Sequence, residues 1–158
     1  MILYFDGLCE PINPGGVATY GFVAYDRRKQ MAVGYGLVGA GMLGDNVSNN
    51  IAEYTGIVKG MESLLAAGLC GKLEVRGDSQ LAIRQLQGLY SVRAPRLMPL
   101  HSRVVELAKG FRSVTYKWVP RDLNDAADAL SRKALEEFLA KNLDGYMEYY
   151  RSRGQKRV

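Results

Sequence analysis

The sequence predicts an α/β fold, and three patterns carry this prediction. Short apolar segments of strand character alternate along the chain with longer segments whose apolar residues recur at helical spacing. A short polar turn joins two of the strand segments, which predicts an antiparallel hairpin. Acidic residues follow two other strands, at the position where sites form in open α/β sheets. The 158 residues suffice for one domain with a single core.

Composition is that of an ordinary globular protein, with 47% apolar and 23% charged residues. The chain lacks both an apolar run long enough to span a membrane and a visible signal peptide, so we expect a cytoplasmic protein without membrane contact. Cys9 and Cys70 are too few for a disulfide framework, and the sequence leaves their pairing open. A net charge of +5 and a pI of about 9.2 favour polyanionic partners.

The first seven residues predict a short central strand, because four apolar residues lead into Asp6 and Gly7. We expect Asp6 at the end of this strand, with Gly7 turning the chain away. Asp-Gly is a common turn pair, so a turn residue is one interpretation. A metal ligand or catalytic acid is the other, and it requires partner acids elsewhere in the chain.

Residues 13–16, Asn-Pro-Gly-Gly, predict a turn, and alternating strands follow over residues 17–26 and about 31–37. The second strand contains a Gly-x-Gly-x-x-Gly run over residues 34–39. That run binds dinucleotides only between a strand and the start of a helix. Because no helix is predicted for about ten residues, we interpret these glycines as strand positions and regard nicotinamide binding as a minor alternative.

Ser48 is the predicted N-cap of a helix that reaches about Ala67. Glu53 lies at the margin of its apolar stripe, where it could point into the end of a sheet. Gly56 and Gly60 lie beside it and each costs about 1 kcal/mol against alanine, so they predict the close approach of another backbone. A glutamate favoured by the helix dipole is the alternative interpretation of Glu53.

The second half of the chain repeats the pattern of a strand followed by a helix. A strand over residues 72–77 ends in Asp78 and is followed directly by a helix. A loop, a helix near His101 to Lys109 and a fifth strand over residues 114–119 come next. In the first turn of the last helix, Asp128 again lies at the edge of the apolar stripe. Beyond Lys141 we expect either a packed aromatic cap or a loose basic arm, formed by Tyr146, Tyr149, Tyr150, Arg151, Arg153, Lys156 and Arg157.

Four carboxylates in one cluster repel one another unless a cation lies among them. The cluster would contain Asp6, Glu53, Asp78 and Asp128, and its hard oxygen ligands select Mg²⁺ or Mn²⁺. Two such ions can clamp the attacking and leaving oxygens of a phosphoryl transfer.

Five motifs make the chain resemble the type 1 ribonuclease H family over residues 1–140, with residues 141–158 as a tail of the same domain. The motifs are Tyr4-Phe5-Asp6-Gly7, Asn13-Pro14-Gly15-Gly16, Asn49-Asn50-Ile51-Ala52-Glu53, Gly77-Asp78-Ser79-Gln80 and Asn124-Asp125-Ala126-Ala127-Asp128. The chain most resembles archaeal and bacterial members that lack the basic protrusion. The resemblance implies a ribonuclease H-like five-stranded mixed sheet, antiparallel over its first three strands and parallel afterwards, with flanking helices.

The resemblance further implies cleavage of the RNA strand of RNA–DNA hybrids by a two-metal site, giving 3′-hydroxyl and 5′-phosphate ends. The same acids would be catalytic and would bind the metal. The residues that would contact the hybrid are Asn13, Ser48, Asn49, Asn50 and Gln80. Amide side chains can both donate to and accept from a ribose 2′-hydroxyl. We expect a monomer; activity on RNA–RNA duplexes and a non-catalytic nucleic-acid-binding module are the alternatives.

Two departures from the family pattern affect these expectations. Many members carry a histidine in the loop before the last helix, whereas here the loop is Pro120-Arg121-Asp122-Leu123. Arg121 cannot shuttle protons at neutral pH, so we assign it an electrostatic role towards substrate. His101 is predicted to be a surface or capping residue. The segment from Gly88 to Pro99 is too short for a lysine-rich handle. Binding of the hybrid would therefore depend on Arg93, Arg96 and the tail.

Overall fold

The computed structural model describes the backbone of residues 1–155 and the side chains of that part except those at 152, 154 and 155. Over residues 1–155, five strands and four helices follow one another, with 3₁₀ turns at Gly41–Leu43 and Arg121–Leu123. The elements are β1 (Ile2–Glu10), β2 (Val17–Asp26), β3 (Lys29–Ala40), α1 (Asn49–Ala66), β4 (Lys72–Gly77), α2 (Gln80–Leu86), α3 (Met98–Ala108), β5 (Ser113–Trp118) and α4 (Asp125–Gln155). Within the described residues, no helix combines the length and the apolar character needed to cross a bilayer.

The strands form one mixed sheet in the order β3-β2-β1-β4-β5. β1 pairs antiparallel with β2, and β2 pairs antiparallel with β3. β4 runs parallel to both β1 and β5, because α1 and the α2–α3 segment provide the crossovers that parallel strands need. The predicted mixed five-stranded α/β fold is confirmed.

The helices cover both faces of the sheet. Asp6 pairs directly with Gly21, so their side-chain positions share one face, and a Cβ at Gly21 would press on the backbone of α4. The neighbouring position in β1, Gly7, faces α1 instead. The main core packs α1, α2 and α3 against Leu3 and Phe5 of β1, while a second cluster lies under α4. The acid in β1 therefore points towards α4.

The predicted end of the first strand at Gly7 is wrong. β1 continues to Glu10, because residues 2–10 all pair with β2, whereas its parallel pairing with β4 extends only over residues 2–4. Gly7 makes no turn; instead, a Cβ there would overlap the main-chain nitrogen of Glu53. The glycine thus permits close contact between β1 and α1. Asp6 still lies beyond the last β1–β4 pair, which is why it borders the carboxyl end of β4.

The hairpin and α1 form where the sequence predicts them. β2 covers the predicted residues, and the Gly-x-Gly-x-x-Gly run lies inside β3, which continues to Ala40 before α1 begins at Asn49. The run therefore lacks the strand-to-helix setting that dinucleotide binding requires. Gly56 approaches the carbonyl oxygens of Asp6 and Gly21, as expected, but Gly60 faces the Leu3 side chain and no backbone.

The last helix does not end near residue 140. α4 is interrupted by non-helical dihedral angles at Asn142 and then continues to Gln155. Tyr146 and Tyr149 are half-buried and Tyr150 is buried, so the packed aromatic cap is the alternative that the structure supports for these three residues. Arg151 and Arg153 are exposed, and Lys156 and Arg157 lie outside the described residues.

Candidate active site

A cavity of about 230 Å³ at the carboxyl end of β4 brings the four predicted acids together. Asp6 comes from β1, Glu53 from α1, Asp78 from the residue after β4, and Asp128 from the first turn of α4. The cavity is also bordered by polar residues from other elements, namely Glu10, Asn49, Arg121 and Arg132. Most of its lining is therefore polar and charged.

The sequence creates this convergence through backbone contacts. β1 and β4 diverge after Tyr4 and Arg76, which opens a gap at the point where Asp6 and Asp78 stand. Contact at Gly7 brings the first turns of α1 and hence Glu53 to that gap. Contact of α4 with Gly21 brings Asp128 from the opposite face. Two glycines in neighbouring strands thus set the helix positions.

Asp6 is 7% exposed, and its Oδ1 accepts a hydrogen bond of 2.9 Å from the Gly7 main-chain nitrogen. Burial raises the pKa of Asp6 to about 8, and the charges of Asp78 and Glu53 and the contact with Asp128 act in the same direction. Without a cation, burial and the neighbouring carboxylates therefore favour the neutral form of this carboxyl group.

Glu53 is 6% exposed, and its Oε1 accepts a 2.9 Å hydrogen bond from Asn49 Nδ2. Its other oxygen, Oε2, is buried and has no hydrogen-bond partner among the described residues. Burial raises the pKa of Glu53 to about 7 and the charge of Asp78 adds to this effect, while the nearby Ser79 hydroxyl group and the hydrogen bond from Asn49 oppose it. An unpaired buried carboxylate oxygen is costly, so this atom is poised for a ligand.

Asn124 belongs to the last of the five motifs but is not among the site residues predicted from the sequence. Its Nδ2 donates to the Phe5 carbonyl oxygen at 2.8 Å and to Asp78 Oδ1 at 3.2 Å, and its Oδ1 has no partner in the described structure. The side chain therefore joins the start of α4 to β1 and to Asp78 instead of capping the helix. Its spacing of four residues before Asp128 was the available signal.

Glu10 and Arg132 are also part of the cavity, and sequence reasoning missed both. Arg132 Nη1 lies 3.5 Å from Glu10 Oε1, and its Nε lies 3.5 Å from Asp128 Oδ1. Arg132 follows Asp128 by one helical turn, which is a detectable signal on the sequence. Its positive charge offsets part of the repulsion among the carboxylates. Because the arginine is partly exposed, solvent weakens both pairs.

The residues predicted to contact a nucleic acid surround the cavity without forming one cluster. Asn49 lies in its wall, whereas Ser48 and Asn50 line an adjoining groove of about 540 Å³ with Arg96. Ser48 caps α1 by accepting from the Ile51 main-chain nitrogen, as predicted. The exposed Asn13 reaches this region because its Oδ1 accepts from the Asn49 main-chain nitrogen at 3.0 Å.

The remaining predicted contacts have different settings. Gln80 is exposed in the first position of α2, two residues after Asp78. Arg121 borders the cavity from the 3₁₀ turn before α4. His101 is half-buried near the start of α3 and so lies only partly at the surface; its Nε2 is 3.4 Å from the carbonyl oxygen of Gln85 in the last turn of α2, and its ring is 6.3 Å from that of Tyr54. It packs between helices and does not line the cavity.

The donor set fits a hard divalent cation. All four acids offer carboxylate oxygens, and the unpaired Glu53 Oε2 supplies a buried atom that a cation would satisfy. Among the described residues, no three histidine, cysteine, aspartate or glutamate side chains already stand close enough together to hold an ion. Carboxylate rotation would therefore have to accompany binding, which is consistent with mutual repulsion in the cation-free site.

Comparison with known proteins connects this geometry to a family. The family model described as "Reverse transcriptase-like" matches residues 16–134, which include three of the four acids. Ribonuclease HI of Halobacterium salinarum is 36% identical over 137 residues, covering 85% of this chain and 63% of that protein. The bifunctional protein Rv2228c of Mycobacterium tuberculosis is 33% identical over 126 residues, covering 78% of this chain but only 32% of its own length. The chain thus spans less than two thirds of the first of these curated relatives and about a third of the second.

Solved structures give the same result at the level of coordinates. The RNase H1 structure from Halobacterium salinarum aligns with a TM-score of 0.76 and 34% identity, covering 86% of this chain and 97% of that one. The N-terminal RNase H domain of Rv2228c from Mycobacterium tuberculosis aligns with a TM-score of 0.77 and 31% identity, covering 86% of this chain and 93% of that one. LC11-RNase H1, solved in complex with an RNA/DNA hybrid, aligns with a TM-score of 0.77 and 29% identity, covering 87% of this chain and 98% of that one.

The sheet order, the flanking helices and the carboxylates at the end of β4 define a protein of the ribonuclease H-like structural class. Within that class, the matches over most of both chains are more specific. The chain belongs to the type 1 ribonuclease H family.

Proposed function

We propose that this protein is a metal-dependent endoribonuclease that hydrolyses the RNA strand of RNA–DNA hybrids and leaves 3′-hydroxyl and 5′-phosphate ends. One observation carries the proposal: four carboxylates share one polar cavity, and the most buried of them has an oxygen without a partner. Family membership supports it, as does the RNA/DNA hybrid bound to the similar LC11-RNase H1.

Asp6, Glu53, Asp78 and Asp128 would hold two Mg²⁺ or Mn²⁺ ions when substrate is bound. Such ions would neutralise the carboxylates and polarise the phosphodiester and a water molecule for in-line displacement. The chain's own contribution is to keep the acids close together although they repel one another. Backbone contacts at Gly7 and Gly21 and the Asn124 amide serve that purpose.

Substrate recognition would depend on the amide residues beside the cavity. Asn49 stands next to Glu53 and is hydrogen-bonded to it, while the Asn13 side chain is joined to the Asn49 main chain. Asn50 and Gln80 offer further amides that can pair with a 2′-hydroxyl in either direction, and Ser48 and Arg121 offer contacts to phosphate. Contacts to sugars and phosphates carry little sequence information, so cleavage should be weakly sequence-specific.

A cleavage assay on end-labelled duplexes of one sequence tests the proposal. An RNA–DNA hybrid, an RNA–RNA duplex and a DNA–DNA duplex are incubated with Mg²⁺, with Mn²⁺ and with EDTA. We expect internal cuts in the RNA strand of the hybrid, with either metal and not with EDTA. Cutting of the RNA–RNA duplex as well would extend the substrate class, whereas binding without cleavage in any metal would leave only a nucleic-acid-binding module and refute the proposal.

Two further measurements define the reaction. Asp6→Asn serves as the inactive control for a contaminating nuclease. The product ends are identified by phosphatase treatment and by extension with a polymerase that requires a 3′-hydroxyl. Products that end in a 2′,3′-cyclic phosphate would mean that the 2′-hydroxyl is the nucleophile, which contradicts metal-activated water. Products that end in a 3′-phosphate would mean that the bond to the 5′-oxygen is cut, which contradicts the proposed 3′-hydroxyl and 5′-phosphate ends.

A further inference from the structure

The end of α4 packs against the turn that carries Asn13. After the interruption at Asn142, the helix packs Tyr146, Tyr149 and Tyr150 against Ile12, which precedes the β2–β3 hairpin, and Met42, which follows it. The ring centroids of Tyr146 and Tyr149 lie 5.0 Å and 4.8 Å from that of Tyr150. Tyr150 is the buried member of the group, at 3% exposure.

The hydroxyl group of Tyr150 joins two loops. It donates to the Gly15 carbonyl oxygen at 3.0 Å and accepts from the Met42 main-chain nitrogen at 3.2 Å. These loops also touch each other directly, since the Gly41 main-chain nitrogen donates to the Gly16 carbonyl oxygen at 3.1 Å. The Tyr150 hydroxyl group thus holds the turn and the loop at Met42 together from a helix that does not line the cavity at this point.

Hydrogen bonds continue from this turn to the start of α1. The Gly15 main-chain nitrogen donates to the Val47 carbonyl oxygen at 3.0 Å. Two residues earlier, Asn13 Oδ1 accepts from the Asn49 main-chain nitrogen at 3.0 Å, and the Asn49 side chain donates to Glu53 at 2.9 Å. The turn held by Tyr150 therefore carries one candidate substrate contact and supports a second.

Apolar packing follows the same route. Tyr150 belongs to a buried cluster with Leu8, Val17 and Phe138, and Ile12 of the turn packs against it. Leu8 also lines the candidate active-site cavity, two residues beyond Asp6 in β1. The cluster connects the C-terminal part of α4 to the strand that carries the first acid.

We propose that Tyr150 is a positioning residue for substrate binding: through its hydroxyl group, it holds the Asn13–Gly16 turn at the distance from α1 at which Asn13 and Asn49 meet the nucleic acid. This inference rests on the proposed function. It assigns a role in substrate affinity to a segment whose basic residues suggested only a phosphate contact. Arg153 does not compete for the turn, because its guanidinium group stacks 3.6 Å from the ring centroid of Tyr149.

Tyr150→Phe removes the hydroxyl and keeps the ring, so it separates positioning from packing. Tyr149→Phe is the matched control, because the Tyr149 hydroxyl has no hydrogen-bond partner among the described residues. We expect Tyr150→Phe to raise the KM for the hybrid at least threefold, with kcat within twofold of wild type. The slope of log KM against log salt concentration should not change, because no charge is removed. Tyr149→Phe should leave all three quantities unchanged.

Amide hydrogen exchange followed by NMR tests the same contacts without substrate or metal. In Tyr150→Phe, exchange should become faster at Met42, which loses its acceptor, and at Asn49, which depends on the position of Asn13. The Asp45 amide donates to the Ala40 carbonyl oxygen in the same loop and should exchange as in wild type. Faster exchange at Met42 alone, with Asn49 and KM unchanged, would show a local contact and overturn the proposal.

The outcomes separate this inference from the proposed function. If the wild-type protein cleaves no hybrid, the proposed function fails, and exchange at Asn49 still decides whether Tyr150 positions the turn. If wild type cleaves and Tyr150→Phe has the KM of Tyr149→Phe, the positioning role fails and the activity stands. A fall in kcat with an unchanged KM would likewise reject it.

Discussion

The side-chain nitrogen of Asn124 lies 3.2 Å from the carboxylate of Asp78. The same nitrogen lies 2.8 Å from the carbonyl oxygen of Phe5, the residue before Asp6. One buried amide therefore connects the helix that carries Asp128 with the two strands that position Asp6 and Asp78. The Asn124 amide thus orients the Asp78 carboxylate through a hydrogen bond, as residues that contact metal ligands commonly do.

Asn124→Ala should lower the cleavage rate by roughly 10–100-fold, the usual cost of losing an outer partner of a metal ligand. The Phe5 carbonyl oxygen would lose its partner as well, so the thermal midpoint should also fall. Asn142→Ala is the control, because Asn142 makes a similar 2.9 Å bond from its amide to the Phe138 carbonyl oxygen away from the cavity. Equal losses of activity in both variants would show that Asn124 acts only through stability.

Asp6→Asn should abolish cleavage and stabilise the metal-free protein at alkaline pH. The folded-state pKa values of Asp6 and Glu53 are raised to about 8 and about 7, above the ordinary values of 3.8 and 4.5 for these side chains. The folded state therefore binds more protons than the unfolded state in that interval. The associated stability is fully present below about pH 4 and is lost as the pH rises to about 8.

Thermal unfolding in EDTA between pH 5 and pH 8.5 measures this effect. Each unit of pKa shift is worth about 1.4 kcal/mol, so the wild-type midpoint should fall by several degrees across the interval. The profile of Asp6→Asn should be flatter, and Mg²⁺ at pH 8 should raise the wild-type midpoint more than that of the variant. Parallel profiles in EDTA would contradict the raised pKa values, and near-normal activity of the variant would contradict the four-acid site.

Asp128→Asn should reduce the Mg²⁺-dependent rate by orders of magnitude, whereas Asp125→Asn should leave it nearly unchanged. The two acids share one short motif, but Asp128 lines the cavity and Asp125 is exposed. Losing the favourable interaction of Asp125 with the helix dipole should cost at most about 1 kcal/mol of unfolding free energy. Rates at saturating metal check both variants, and a greater sensitivity at Asp125 would reverse the assignment.

Arg121→Ala should lower kcat/KM by roughly tenfold or less at low salt, because an exposed charge contributes on the order of 1 kcal/mol.

His101→Ala should leave the rate and its pH profile unchanged, since the imidazole packs against Tyr54 and lies outside the cavity. Its thermal midpoint should fall, because contacts between helices are lost. An altered pH profile would mean that His101 acts in proton transfer, and an unchanged rate for Arg121→Ala would remove its electrostatic role.

Deletion of residues 151–158 should change the thermal midpoint little, because Arg151 and Arg153 are exposed. If their charges contact phosphates, the hybrid KM should rise and its salt dependence should flatten. Deletion of residues 146–158 removes the three tyrosine rings as well and should lower the midpoint substantially. A large loss of stability in the shorter deletion would show that the basic segment is structural.

Local patterns in the sequence sufficed for the sheet and for most of the helices, and they also indicated the four acids that the structure brings into one cavity. The alternation in β2 and the apolar stripe of α1 are local signals. The positions of Asp6, Glu53, Asp78 and Asp128 relative to strands and helices can also be read directly from the order of residues along the chain. The extension of β1 past Gly7 was missed because its cause is pairing with β2, whereas Asp-Gly by itself resembles a turn.

Contacts between distant residues explain the other errors. Asn124 has the sequence position of a cap, and only the nearby Phe5 carbonyl and Asp78 carboxylate draw its amide into the site. The pairing of Arg132 with Glu10 likewise depends on α4 lying over β1. Such side-chain choices are decided by tertiary packing, on which local periodicity carries no information.

The contact at Gly7 has a consequence for ion selectivity. Because the main chains of β1 and α1 touch there, the separation of Asp6 and Glu53 can change only through rotation of their side chains. Mg²⁺ holds its oxygen ligands at about 2.0–2.1 Å, whereas Ca²⁺ requires about 2.3–2.6 Å and more ligands. On this wall of the cavity, adjustment to an ion of different radius therefore depends on side-chain rotation and not on separation of the two backbones. A glycine with no side chain to coordinate a cation thus limits how far apart two of the candidate ligands can stand.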